Sequence, residues 1–161
     1  MAKGKILKIP ARGEWSFADA DVDADGVFPL ETLQGAVGGW IECVWLGEAG
    51  FPDLDMFVNE EGKLHGLSFN VVASALSAIF ARGDCIVGDV AVCRHDDANS
   101  VGLTTATSLR FAVALRNLDS EWKRNRQAER KSPSATDAEG RSFACSRPAP
   151  DRPSAQPSPL L

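Results

Sequence analysis

The last quarter of the chain cannot build a core, and this confines any fold to what precedes it. "RKSPSATDAEGRSFACSRPAPDRPSAQPSPLL", from Arg130 to Leu161, has almost no apolar periodicity. Residues 119–161 hold six of the nine prolines. Such a stretch buries too little apolar surface to offset the entropy of ordering it. Disorder is expected over residues 128–161, as an idle extension rather than a docking tail, since no PxxP sits in a clear ligand context. Charge divides near the same place. Residues 1–118 carry 16 acidic and 9 basic side chains, and residues 119–161 carry 6 and 8.

What remains suits one compact domain over residues 1–118, with a final helix running to about residue 127. No apolar run approaches the ~20 residues of a membrane-spanning helix. The start, "MAKGKILKIPARGEW", lacks the apolar core and small-residue cleavage site of a signal peptide. A cytoplasmic location and reduced thiols are therefore expected for Cys43, Cys85, Cys93 and Cys145, which form no CxxC pair. The formal net charge of −5 argues against nucleic-acid partners, because phosphate contacts require clustered Lys and Arg.

The apolar pattern alternates between short strand-like and helix-like blocks. "GKILKIPA" suits a first strand over residues 4–10. "EWSFADADVDADGVF" reads as an acidic, turn-rich loop with at most a brief strand pairing. "PLETLQGAVGG" is a short helix. Pro29 falls in its first turn, Leu30, Leu33 and Val37 share a face, and Gly38-Gly39 stops it. "WIECVWL" is a strand that is apolar on both faces, and therefore expected at the centre of the sheet. Trp15 and Phe17 would either cover that strand or offer a partner surface. "LDMFVNE" is the next strand, "EEGK" a turn with Gly62 at the φ > 0 position, and "KLHGL" a short extended return. "NVVASALSAIFA" is helical, capped by Asn70, with Val72, Leu76 and Ile79 or Phe80 inward. "DCIVGDVAVC" is a strand in which Gly88 marks a bulge or close approach. "HDDANS" looks like a surface loop. In the final helix, Phe111, Leu115, Leu118 and Trp122 form one stripe. The fold class is α+β: a small mixed sheet of about four or five strands with two or three packed helices.

Four blocks carry a resemblance: "LETLQGAVGGWIECVWL", "MFVNEEGKLHGLSFN", "DCIVGDVAVC" and "VGLT". In this order they resemble the domain-of-unknown-function family 3846 over roughly residues 3–105. The resemblance implies a compact α+β domain and a setting in phages, plasmids and actinobacterial mobile regions. It implies no activity. One departure is Ser68, where the family pattern has proline after "GL", so the exit from the turn is less rigid here.

"NEEGKLHGLSFN", residues 59–70, is the segment most open to a functional reading. As a site, Glu60 and Glu61 would bind a metal or act as acid and base, with His65 as partner and Asp89 nearby. As a turn, the charged residues merely keep its tip wet. Adjacent strand residues point to opposite faces, so Glu60 and Glu61 do not naturally converge, and the turn is preferred. Asn59 and Asn70 bracket the segment, orienting a ligand or satisfying backbone groups. The candidate ligand- or partner-binding residues are Asn59, Glu60, Glu61, His65 and Asn70.

Other motifs are incomplete. Asp21, Asp23, Asp25 and Gly26 match the first half of a calcium-binding loop. Its twelfth position is Thr32 rather than a bidentate carboxylate, and Glu31 falls one residue early. Cys93 and His95, with Cys85 near, lack a fourth zinc ligand. No GxSxG, P-loop or dinucleotide fingerprint is present. No catalytic residue, metal or cofactor is assigned. The function read is a small acidic accessory protein that binds an unidentified protein or small molecule without catalysis. The alternative is a metal-assisted hydrolase built on Glu60, Glu61, His65 and Asp89.

Overall fold

The structure is a computed structural model that describes residues 2–77 and 83–131. The chain runs β1 (Ala2–Ile9), β2 (Ser16–Val22), α1 (Leu30–Val37), β3 (Ile41–Trp45) and β4 (Leu54–Asn59), then α2 (Val71–Leu76), β5 (Val90–Asp96), β6 (Asn99–Val101) and α3 (Thr105–Lys131). The strands form one six-stranded sheet in the order β2-β1-β5-β4-β3, with β6 paired to β5. Every pairing is antiparallel, so the α+β class stands while the sheet is not mixed.

Alternation along the strands decides which residues meet which helix. Leu7 and Ile9 of β1, Leu54, Met56 and Val58 of β4, and Val90 and Val92 of β5 face one way. They share a core with Ala73 and Leu76 of α2 and Phe111 and Leu115 of α3. The intervening residues Ile6, Phe57, Ala91 and Cys93 face the other way and pack with Leu33 and Val37 of α1. Both faces of the central strands are therefore covered, which accounts for the nearly continuous apolar runs in β4 and β5. Trp15 and Phe17 meet edge to face at 5.9 Å and pack against the larger core, covering it rather than standing free.

Several expectations are corrected. The acidic loop contains a seven-residue strand, β2, paired along β1 from Ala2↔Val22 to Lys8↔Ser16. Its aspartates are cross-strand partners: Lys3 Nζ lies 2.6 Å from Asp21 Oδ1 and Lys5 Nζ 3.7 Å from Asp19 Oδ1. Asp23 does form a turn, its Oδ1 accepting from the N–H groups of Asp25 and Val27 at 3.0 and 2.9 Å. Pro29 is the residue before α1 rather than within it, and Leu30 is 51% exposed. β3 is an edge strand, not a central one, and Trp40 and Trp45 are 63% and 55% exposed. Residues 95–100 are a β5–β6 hairpin with Asp97 at φ 52°, not a loop. Residues 84–89 lie outside the strand expected there; they run beside residues 68–70, with a β-bridge from Phe69 to Val87 and hydrogen bonds from Asn70 N–H to Ile86 O and from Gly88 N–H to Ser68 O.

α3 extends past the expected limit to Lys131. Phe111 and Leu115 are fully buried and Leu118 packs beside them, whereas the side chain of Trp122 is outside the described residues. Ile79, Phe80 and the segment from 132 onward are outside them too. No helix among the described residues is long and apolar enough to cross a membrane.

Candidate functional site

β4 ends at Asn59, and "EEGKLHGL" then makes one helical turn rather than a β-turn and an extended return. His65 N–H donates to Glu61 O at 2.9 Å. Leu67 N–H reaches back to Gly62 O at 2.9 Å and Gly66 N–H to Lys63 O at 3.2 Å. This nested pair is the Schellman pattern, with Gly66 as the left-handed residue at φ 66°. Gly66, not Gly62, is therefore the glycine that the backbone conformation demands. Gly62 is needed for space. A Cβ there would lie 3.0 Å from Val87 Cγ2 and 3.1 Å from Asn59 O.

Both asparagines are committed to the fold. Asn59 Nδ2 donates to the carbonyls of Val37 and Gly38 at the end of α1, at 3.4 and 3.2 Å, and its Oδ1 accepts from Glu61 N–H at 3.0 Å. Asn70 Oδ1 caps α2 through Ala73 N–H at 3.0 Å, and its Nδ2 donates to Ile9 O and Gly88 O at 2.9 Å each. Gly88 N–H in turn donates to Ser68 O at 2.7 Å, a bond that a proline carbonyl would accept equally. Gly88 marks a close approach, since a Cβ there would sit 2.7 Å from Leu67 Cδ1.

The acidic and histidine residues separate. Glu61 Oε2 and His65 Nε2 lie 3.6 Å apart on an exposed helical face. Asp89 Oδ1 accepts from Ala11 N–H at 2.8 Å. Glu60 alone turns into a cleft. Among the described residues, no group of three or more His, Cys, Asp or Glu side chains is placed to hold a metal ion.

That cleft is half open, about 110 Å³ in volume, and lies between β3, the end of β4, the helical turn and residues 84–87. Its floor is apolar: Val44, Val58, Ile86 and Val87. Its rim carries Glu42, Glu60, Lys63 and Asp84. Lys63 and Asp84 form an ion pair across it. The hydrogen bond from the Lys63 ammonium holds the Asp84 carboxyl below its ordinary pKa. Glu42 and Glu60 form no ion pair among the described residues, since the Lys63 ammonium bonds Asp84, and both are exposed. Three carboxylates thus face one ammonium over an apolar floor, which suits a ligand with an apolar body and a positive head.

The sequence pointed to Glu60 but missed Glu42 and Asp84. Alternation puts Glu42 on the Val44 face of β3, a signal that was available. Nothing local marks Asp84, because only the tertiary approach of residues 84–87 to the helical turn places it.

A second polar cluster lies on the opposite face of the sheet. His95 Nδ1 is 3.3 Å from Asp55 Oδ2. Desolvation and then Asp55 push the Cys43 thiol up to about 11, and desolvation pushes Cys93 to about 12. These are protonated, unreactive thiols rather than nucleophiles. Cys43 and Cys93 are free cysteines.

The fold and cleft define a small α+β protein whose antiparallel sheet carries helices on both faces and an acidic cleft beside one edge. The chain belongs to the family described as Domain of unknown function (DUF3846), which it matches over residues 5–113. No match to a curated protein or to a solved structure was found.

Proposed function

We propose that this chain is a non-catalytic binding module whose cleft accepts a cationic group on an apolar stem, such as a lysine side chain of a partner protein or a small amine. The observation that carries this reading is the placement of Glu42 and Glu60 on one cleft with Val44 and Val58, neither glutamate in an ion pair among the described residues. A long-chain ammonium would bury its methylenes on the valines and leave its charge between the two carboxylates. An acidic accessory role in the cytoplasm, within the phage and plasmid setting that the family resemblance suggests, fits a protein of this kind. The metal-assisted hydrolase has no comparable support, because Glu61 and His65 pair on an exposed face and Asp89 holds the Ala11 amide.

The test is titration calorimetry with N-acetyl-lysine amide and with the same compound acetylated on its side-chain nitrogen. The charged compound should bind and the neutral one should not. The Glu42→Gln/Glu60→Gln double variant should lose binding while keeping its melting temperature. Equal binding of the two compounds, or full binding by the double variant, would overturn the reading.

A further inference from the structure

Two tryptophans stand at the ends of β3, and only one has a structural task. Trp45 is pinned: its Nε1–H donates to Pro52 O at 3.1 Å, and its ring lies so close over Gly47 that a Cβ there would sit 2.0 Å from Cζ2. Trp40 is 63% exposed, and its side chain makes no hydrogen bond or ring contact among the described residues.

The strand register sets Trp40 beside both glutamates of the cleft. β3 and β4 pair from Trp45↔Asp55 through Glu42↔Val58 to Ile41↔Asn59. Glu60 N–H then donates to Trp40 O at 2.9 Å, so Trp40 stands opposite Glu60 one step further on. Directly opposite residues share a face, with Cβ atoms about 4.5–5.5 Å apart. Glu42 lies two residues along the same strand and therefore on that face as well. Glu42, Val44, Val58 and Glu60 line the cleft, which puts the indole at its mouth. The backbone that carries it is fixed. Gly38 ends α1 at φ 76°, and Gly39 is pressed against Asn59, whose Nδ2 a Cβ there would approach to 2.6 Å.

We infer that Trp40 is a specificity-determining residue that makes the cleft select a guanidinium over an ammonium; the inference rests on the cleft accepting a cation. A guanidinium is planar and weakly hydrated. It lies flat on an indole while its in-plane N–H groups donate to carboxylates at the ring's edge. Glu60 across the strands and Glu42 along the strand supply those acceptors, and Lys63 does not compete for them because it bonds Asp84. An ammonium is compact and strongly hydrated, so on an open site it keeps much of its water and gains less from the ring. The ligand chemistry is therefore that of arginine, its methylenes resting on Val44 and Val58.

Titration calorimetry of the full chain with N-acetyl-arginine amide and N-acetyl-lysine amide tests it. The arginine compound should bind at least about threefold more tightly. Trp40→Ala should bring the two affinities within a factor of about two, chiefly by weakening arginine. Trp40→Leu keeps an apolar side chain without a ring; it should behave as alanine does, and it replaces alanine should that variant fold poorly. Trp40→Phe should keep part of the preference. Free arginine is titrated alongside: binding of either arginine compound supports the guanidinium, and the tighter one names its source, a residue within a chain or the free amino acid. Equal affinities in the parent, tighter binding of the lysine compound, or a preference that survives both Trp40→Ala and Trp40→Leu would overturn the inference and leave the cation site standing. Binding of no compound would overturn both.

Discussion

The side-chain amide of Asn70 donates to the carbonyl of Ile9 at 2.9 Å, joining residues 61 apart in sequence. The same side chain caps α2 and also reaches Gly88, so one buried residue ties together the end of β1, the start of α2 and the entry to β5. Asn70→Ala should cost about 2–4 kcal/mol, through loss of the cap and two stranded carbonyls. Asn70→Asp keeps the cap acceptor but loses the amide donor and sets a carboxylate against both carbonyls. It should be no better than alanine in urea denaturation. An aspartate variant as stable as the parent would show that the bonds to Ile9 and Gly88 contribute little.

Gly62 and Gly66 should fail for different reasons. Gly66→Val forces a β-branched residue to φ 66° in open space, at a cost of about 1–3 kcal/mol from backbone strain. Gly66→Asn should recover most of it, since asparagine tolerates the left-handed region. Gly62→Val instead collides with Val87 and the Asn59 carbonyl, and asparagine there should rescue nothing. Thermal melts of the four variants distinguish these mechanisms. Rescue by asparagine at both positions would contradict the assignment.

The glutamates should divide by location. Glu60→Gln and Glu61→Gln are both at exposed positions and should each shift stability by less than about 0.5 kcal/mol. Only Glu60→Gln should weaken binding of a cationic ligand, because Glu61 pairs with His65 outside the cleft. Calorimetry in which Glu61→Gln alone abolished binding would move the site to the helical face.

The Lys63–Asp84 pair predicts a small acid dependence. The folded Asp84 carboxyl lies below its ordinary value of 3.8. Its contribution is present above that value and is lost as pH falls through the lower, folded one. Both side chains are about half exposed, so the pair should be worth no more than ~1 kcal/mol. Lys63→Met should raise the Asp84 titration, followed by NMR, toward the ordinary range, while the Cys85 N–H bond to Asp84 Oδ1 still favours the carboxylate. An unchanged titration would mean that the pair does not form in solution.

The thiols predict the opposite slope at high pH. Cys43 and Cys93 are raised from 9.0 to about 11 and about 12. The unfolded chain ionises first, so stability should fall as pH rises from the ordinary thiol value toward those numbers. At neutral pH Cys43 should alkylate more slowly than a free thiol despite its exposure, and Asp55→Asn should quicken it. Ordinary reactivity in the parent chain would refute the raised thiol, and no change on Asp55→Asn would refute the part played by Asp55.

Local pattern determined a good deal of this protein. The helix at Leu30–Val37 with Gly38 at its left-handed end, the Asn70 cap, the strand at Leu54–Asn59 and the Phe111–Leu115 stripe follow from spacing and from residues whose backbone chemistry is local. The strand "WIECVWL" was legible too, but not its place. Two apolar faces describe a covered strand and an exposed edge equally well, and only the pairing order puts β3 outermost. The aspartates of β2 read as turn formers until Lys3 and Lys5 were set beside them, a relation between strands that no window along the chain contains. In "NEEGKLHGL" the choice between hairpin and helical turn rested on which glycine is left-handed. That depends on where Val87 and Asn59 crowd Gly62, and so on tertiary packing. The cleft lies furthest from the sequence: Glu42, Glu60, Lys63 and Asp84 come from three separate segments, and only the folded sheet sets their charges over one apolar floor.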